Sequence, residues 1–156
     1  MEQPEYNMLK RERVELEYAP LYRKHGLGLT VFSPLRRGIL TGKYNSGVIP
    51  ADSRAGKEGS WFLQEILDGK DLLARVALLA DIAKRLGPDV TQGQLALAWV
   101  IKNEHVSSAI IGATSVKQIQ ENLAAVKVVD QLTPEIMTAI EEVLQNKPGK
   151  ETMRFT

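Results

Sequence analysis

Two short runs that read as buried strands, the first of them apolar on both faces, constrain this chain more than any other feature. Leu27-Gly28-Leu29-Thr30-Val31-Phe32 is rich in β-branched and aromatic residues and is closed by Ser33-Pro34, and Val106 to Ile111 contains Ala109-Ile110-Ile111. A strand with no polar face belongs inside a parallel sheet covered by helices, and Pro34 cannot extend a ladder. Segments of helical period lie around and between the two runs. The pattern is therefore α/β with parallel strands.

The helix signals are local and specific. A mixed segment from Val14 to Lys24 stops at His25-Gly26, where glycine follows a basic last turn. Leu72, Leu73, Val76, Leu79, Ala80, Ala83 and Leu86 recur at spacings of three and four before Gly87-Pro88. Thr91 and Gln94 form a capping box for a helix through Leu95, Ala98, Trp99 and Lys102, and Ser115 and Gln118 form another for a helix along Val116, Ile119, Leu123 and Val126. Thr133 caps a last helix with Pro134 at its first position and Ile136, Ile140, Val143 and Leu144 as its stripe, ending at Lys147-Pro148-Gly149. Leu35 to Gly69 reads as a long, glycine-rich loop with a short helical turn at Gly38 to Tyr44. Trp61 in that loop is a lid anchor or a packing residue. One partial domain over 1–148 and a loose tail over 149–156 complete the organisation.

Two strands, with a third at the extreme N-terminus, are too few for a closed sheet. A (β/α)8 barrel takes eight strands and about 250 residues, so 156 residues supply at most its last third to half. Such a part leaves strand edges unpaired and inner faces exposed, and is expected to aggregate or be partly molten alone.

Composition removes several function classes. Twenty Lys+Arg against nineteen Asp+Glu give a net charge of +1, so no strong field favours nucleic acid or anionic membrane. The chain has no cysteine, which removes disulfides and thiolate chemistry, and its two histidines, His25 and His105, are too few for a His-rich metal cluster. The first residues lack a basic start followed by an apolar segment, and no apolar run approaches membrane-spanning length, so a soluble cytoplasmic chain is expected.

Two clusters carry chemistry. Gly112-Ala113-Thr114-Ser115 joins a strand to a helix, where unpaired N–H groups and glycine admit an anion; the alternative is an ordinary capped helix start. Ser33-Pro34-Leu35-Arg36-Arg37-Gly38, followed by Gly42-Lys43-Tyr44 and Asp52-Ser53-Arg54, brings a hydroxyl and cations to a strand end and could wrap a polyanion, or could simply be solvated.

With the N-terminal residues, these clusters carry a resemblance. Glu-Gln-x-Glu-Tyr at 2–6, Ser-Pro-Leu at 33–35, Gly-x-x-x-Gly-Lys-Tyr at 38–44, Ser-Arg-Ala at 53–55 and Gly-Ala-Thr-Ser-x-x-Gln-x-x-Glu-Asn at 112–122 occur in family order. The sequence resembles the C-terminal half of an aldo-keto reductase, in the subfamily of the voltage-gated potassium channel β-subunits, over roughly residues 1–148. The resemblance implies an α/β fold that is the C-terminal part of a (β/α)8 TIM barrel, about strands 6 to 8 with their helices.

It also implies an NADP(H) half-site. Gln3 would bond the nicotinamide carboxamide, and Phe32 stands where the family puts a Trp or Tyr that stacks on the nicotinamide. Ser33 and Leu35 would line the pyrophosphate and Lys43 would pair with the phosphates. Ser53 and Arg54 would hold the adenosine 2′-phosphate, Gly112 and Thr114 would form the second phosphate wall, and Gln118, Glu121 and Asn122 would contact the adenosine end. Arg36 and Arg37 replace smaller residues common in the channel β-subunits. The family's catalytic Asp, Tyr, Lys and His have no counterpart here: neither histidine matches, nor do Tyr6, Tyr18, Tyr22 or Tyr44, and no catalytic or metal residue is assigned. The implied parent reduces aldehydes or ketones with NADPH, with homo-oligomers as in relatives. The other implied role is an NADP-binding regulatory subunit with a channel-like membrane partner.

Overall fold

In a computed structural model, residues 1–58 and 69–149 are described. Two parallel strands, β1 (Leu29–Val31) and β2 (Val106–Ala109), pair in the register Leu29 with Val106, Thr30 with Ser108 and Val31 with Ala109, with an irregularity after Leu29. The N-terminal segment lies on the other side of β1 and also runs parallel to it, through bridges Glu2 to Leu29 and Glu5 to Phe32. Thr30 N–H donates to the Glu2 carbonyl, Phe32 N–H to the Pro4 carbonyl and Tyr6 N–H to the Phe32 carbonyl at 3.0, 3.1 and 3.2 Å. Pro4 accepts without needing to donate, as an edge position allows. The expected third strand is thus present as two bridges rather than a full strand.

Helices pack against this sheet, but β2 is not the buried strand expected: it is an outer strand whose Ser107 and Ser108 are exposed and whose Val106 and Ala109 are half-buried. α1 (Ala19–His25) ends at Gly26 in the left-handed region. The single helix expected from Val14 to Lys24 is instead two pieces: a π-helical turn at Arg13–Glu17 precedes α1. Pro20 explains the break, because its ring has no N–H and is tolerated only in a helix's first turn. Ser53 caps the short helix α2 (Arg54–Glu58), with the Gly56 N–H donating to its Oγ at 3.1 Å. The long loop is therefore not wholly irregular, and its helical turn lies at Arg36–Thr41 rather than from Gly38 to Tyr44.

α3 (Lys70–Leu86) buries Leu73, Val76, Leu79, Ile82 and Ala83. α4 (Gln92–Ile101) has the expected Thr91/Gln94 capping box and is buried over Gln92 to Val100, as a helix apolar all round must be. It is the central post, packing against α3, β2, the Arg36–Thr41 turn and a 3-10 segment at Ala125–Gln131. α5 (Val116–Ala124) follows β2, and α6 (Pro134–Leu144), capped by Thr133, closes against α3. The last helix ends at Leu144, with Gln145 at φ 52, before the expected Lys147-Pro148-Gly149 stop. Trp61 and residues 150–156 of the tail lie outside the described residues.

One polar knot is buried in this core. The Arg11 guanidinium donates to both Glu141 carboxylate oxygens at 2.7 Å and through Nε and Nη2 to Glu15 at 2.9 Å, and its carbon lies 5.0 Å above the Trp99 ring. Burial works against the charged guanidinium, but the bonds to Glu141 and Glu15 hold its pKa above the ordinary value. Tyr6 donates to Glu15 at 2.8 Å and accepts from Asn103 at 3.2 Å, and burial first and then Glu15 raise its pKa. Trp99 is a core residue, as its helical spacing with Leu95 suggests, 3% exposed and 5.1 Å from Tyr6.

Candidate functional site: two loops on one sheet edge

Because the N-terminal segment, β1 and β2 are parallel neighbours, their C-terminal ends open on the same edge of the sheet. From β1 the chain passes through Phe32 into Ser33–Tyr44, and from β2 through Ile110 into Gly112–Ser115, with the Ile110 N–H still bonded to the Val31 carbonyl at 2.8 Å. Ligands of open parallel sheets gather outside this edge. Gln3 and Phe32 are both exposed, and Phe32 retains 39% of its surface.

The first loop is strained. Ser33, Arg36 and Arg37 have φ of 53, 46 and 53°, and Gly38 and Gly42 have 97 and 82°. Left-handed conformation costs a non-glycine residue about 1–3 kcal/mol and persists where the surroundings over-determine it. Here they do so through several bonds. The Ser33 carbonyl accepts from Asn7 Nδ2 at 3.0 Å and from the Arg36 N–H at 2.9 Å, and Arg36 Nη1 meets Glu5 Oε1 at 2.6 Å. Asn7 is fully buried, its Oδ1 taken by the Leu9 and Lys10 N–H groups at 3.0 and 2.9 Å.

Further along the loop, glycine makes room for a cation. A Cβ on Gly38 would stand 3.1 Å from Lys43 Cε and 3.2 Å from its Nζ, so the bare backbone lets the ammonium fold over it. A Cβ on Gly42 would meet Gln92 Oε1 at 2.7 Å, so this turn is pinned against α4, where Asn45 also bonds Gln92. Leu35 is half-buried and packs on the core.

Ser53 and Arg54 stand apart, at the start of α2. The Ser53 hydroxyl is buried and already donates to the Pro50 carbonyl at 2.6 Å, while Arg54 is exposed. On the second loop, Gly112 has open space where a Cβ would be, and Thr114 is exposed. Ser115 Oγ accepts from the Gln118 N–H at 3.2 Å, but Gln118 Oε1 turns to the Thr114 N–H at 2.8 Å and Thr114 Oγ1 at 3.2 Å. The expected capping box is thus displaced by one residue, and both Thr114 donors are engaged. Glu121 and Asn122 are half-buried on α5, with the Glu121 carbonyl accepting from Gln94 Nε2 at 3.0 Å.

Comparison with known proteins gives the family. The aldo/keto reductase family model matches residues 1–145. The chain belongs to the aldo/keto reductase family. A probable voltage-gated potassium channel subunit beta of Arabidopsis thaliana is 52% identical over 150 residues, covering 96% of this chain and 45% of that protein. One of Oryza sativa subsp. japonica is 50% identical with the same coverage, and a putative one of Schizosaccharomyces pombe (strain 972 / ATCC 24843) is 44% identical over 149 residues, 94% of this chain and 42% of the relative. The chain thus spans about half the length of the curated relatives it matches.

Within this chain the candidate site residues fall into separate groups. Ser33, Leu35 and Lys43 share the first loop, Gly112 and Thr114 lie on the second with Gln118, Glu121 and Asn122 on α5 after it, Ser53 caps α2 at Arg54, and Gln3 and Phe32 belong to the N-terminal segment and the end of β1. Sequence reasoning did not single out the ion pair between Glu5 and Arg36; its only trace was that both lie inside or beside recognised strings. A cleft of about 430 Å³, lined in part by Tyr22, Arg23, Asn103 and His105, lies elsewhere, at the strand starts, where the His105 carbonyl accepts from Leu29. His105 stacks on Tyr22 there, ring centroids 3.9 Å apart, and His25 ends α1. Among the described residues no three His, Asp or Glu group as metal ligands, and no helix is long and apolar enough to cross a membrane.

Proposed function

We propose that this chain supplies the NADP(H)-binding side of a carbonyl-reducing aldo/keto reductase barrel. The observation that carries the reading is the shared edge: two glycine-bearing loops leave adjacent parallel strands side by side, one with Lys43 folded over Gly38, the other open at Gly112. That edge suits a dinucleotide, with bare backbone for close approach and a cation for phosphate. Ser33, Leu35 and Lys43 would hold the pyrophosphate from one side and Gly112 from the other, with Thr114, whose N–H and hydroxyl are held by Gln118, shaping that second wall. Gln3 and the exposed Phe32 ring would take the nicotinamide, Phe32 by stacking without a polar edge. Ser53 and Arg54 would hold the 2′-phosphate, Ser53 chiefly by capping the helix that carries Arg54, and Gln118, Glu121 and Asn122 would border the adenosine. When bound, NADPH supplies hydride to an aldehyde or ketone carbon.

Reduction also needs a proton donor, and we assign none to this chain. Tyr6 is engaged by Glu15 and Asn103, Tyr22 donates to the Val14 carbonyl at 2.8 Å, and Tyr44 is fully buried. The finer fold reading is that the three parallel segments are strands 6 to 8 of the barrel. It is supported by an apolar face that nothing covers among the described residues: Val116, Ile119, Leu123 and Val126 are 70, 46, 61 and 62% exposed. A cytoplasmic location accords with the reading.

The names of the three relatives favour a second reading, an NADP-binding regulatory subunit that assembles with itself and with a channel-like membrane protein and turns over little carbonyl substrate. Equilibrium titration of the 156-residue chain with NADPH and NADH, followed by tryptophan quenching, tests the shared core of both. Saturable binding that prefers NADPH, with the preference lost in Arg54→Ala, is expected. Equal affinity for the two nucleotides, or an Arg54→Ala variant that loses both alike, would remove the 2′-phosphate role.

A further inference from the structure

We infer that Glu5, through Arg36 and Asn7, is a positioning residue that holds the Ser33–Tyr44 loop in its ligand-ready shape before any dinucleotide arrives. The inference rests on the cofactor reading above and deepens it. A loop with three non-glycine residues at positive φ relaxes unless something fixes it, and at the start of this one, ahead of the Gly42 turn pinned on α4, contacts to Ser33 and Arg36 meet at a single carboxylate. Glu5 Oε1 accepts from Arg36 Nη1 at 2.6 Å and from Asn7 Nδ2 at 3.4 Å, while the same Asn7 amide reaches the Ser33 carbonyl at 3.0 Å. Glu5 thus grips the loop twice: at Arg36 directly, and at Ser33 through Asn7.

The placement makes the grip consequential. Glu5 is bridged to Phe32, so it sits in the floor of the sheet, one residue before the loop begins. The side chains of Glu5 and Arg36 are each 19% exposed, which shields the pair from salt while leaving it at the mouth of the edge. Asn7 cannot swing away, because its Oδ1 is occupied by two backbone N–H groups. Two further consequences follow. Arg36 has its charge matched by a carboxylate, so it steadies the loop instead of serving as an unopposed phosphate cation, and that role stays with Lys43. A dinucleotide meeting a fixed loop also avoids the ordering cost that a slack loop would add to binding.

The test uses the full chain and three variants, Glu5→Gln, Arg36→Met and the reversed pair Glu5→Arg/Arg36→Glu, with Arg54→Ala for comparison. NADPH affinity, amide hydrogen exchange over residues 33–44 and the thermal midpoint are measured on each. Glu5→Gln and Arg36→Met are expected to weaken NADPH about tenfold, equivalent to about 1.4 kcal/mol, and to speed exchange in that loop, with the midpoint nearly unchanged. The reversed pair is expected to recover part of both. Arg54→Ala is expected to weaken NADPH without touching loop exchange, which separates contact from positioning.

Wild-type affinity retained in Glu5→Gln and Arg36→Met, with the wild type binding NADPH, overturns the positioning role and leaves the cofactor reading intact. Absence of saturable NADPH binding by the wild-type chain removes the cofactor reading and this inference with it. A fall in midpoint that matches the fall in affinity, with exchange accelerated throughout the chain, also overturns it, because the pair then acts on the whole fold.

Discussion

Replacing Arg11 by Met removes a charge from the best-connected point of the core while keeping most of the volume. Arg11 is 4% exposed as a side chain and makes a two-pronged bond to Glu141 and another to Glu15, joining the N-terminal segment to α6 across most of the sequence. Removing one member of a buried ion pair costs about 3–5 kcal/mol, because the partner's charge is left uncompensated. Here the two partners are 20 and 22% exposed, so water can reach them in part, and the lower end, about 3 kcal/mol, is expected. At about 2–4 °C per kcal/mol for a chain of this size, the thermal midpoint should fall by about 6–12 °C. Urea unfolding followed by circular dichroism measures the free energy, and heating gives the midpoint. The decisive comparison is the triple variant Arg11→Met/Glu15→Gln/Glu141→Gln, which removes the stranded charges as well. If the loss arises from uncompensated carboxylates, the triple variant regains at least half of it. A single variant within about 1 kcal/mol of wild type, or a triple no more stable than the single, would refute the electrostatic account and leave only the packing of the Arg11 stem on Trp99.

Two further outcomes follow from the same structure. Replacing Ile119 and Leu123 by Ser on the face of α5 left uncovered among the described residues should leave the thermal midpoint within about 2 °C and reduce self-association in sedimentation velocity; a large loss of stability would mean that the stripe packs within the chain. Burial, with Tyr18 and Glu15 adding to it, pushes the Tyr22 pKa up to about 12 from 10.0, so the folded state holds this proton longer than the unfolded one. Its stabilising share is whole below pH 10 and is lost as pH rises from 10 to 12, so Tyr22→Phe should flatten the fall in urea midpoint over that interval, and an unchanged slope would discount the burial.

What the sequence made legible was whatever local chemistry decides. The caps at Thr91 and Thr133, the Gly26 terminus and the first apolar run each depend on residues within one turn of one another, and each stands where expected; the second run pairs as a strand but is not buried, with Ser107 and Ser108 exposed. The boundaries that moved did so through contacts a linear reading cannot see. Pro20 broke a mixed helix whose period was weak from the start, and the Gln118 side chain accepts from the Thr114 N–H and hydroxyl while its own N–H keeps the bond to Ser115. The Arg11 knot was hidden for the same reason. Arg11 and Glu15 are four residues apart and readable, but Glu141 reaches them only once α6 has docked.

The candidate site divides along that line too. The strings at 33–35, 38–44 and 112–122 mark where backbone must be bare or hydroxylated, a property carried by single residues. The pair that holds the first string in shape joins residues 5 and 36, and neither side chain implies the other until the two segments lie side by side. Rigidity and strain are correspondingly separated in space. Beneath the sheet edge, α4 is buried along nearly its whole length and Arg11 ties the N-terminal segment to the last helix. Above it, the first loop departs from relaxed backbone at three non-glycine residues, Ser33, Arg36 and Arg37. A strained loop keeps its shape only if its anchors do not yield, and Glu5 and Asn7 flank Tyr6, whose ring packs on Trp99 and whose hydroxyl is bonded into the Arg11 knot. The stable core and the strained edge are therefore one mechanical unit, in which loosening Arg11 should be felt at Ser33 even though the two never touch.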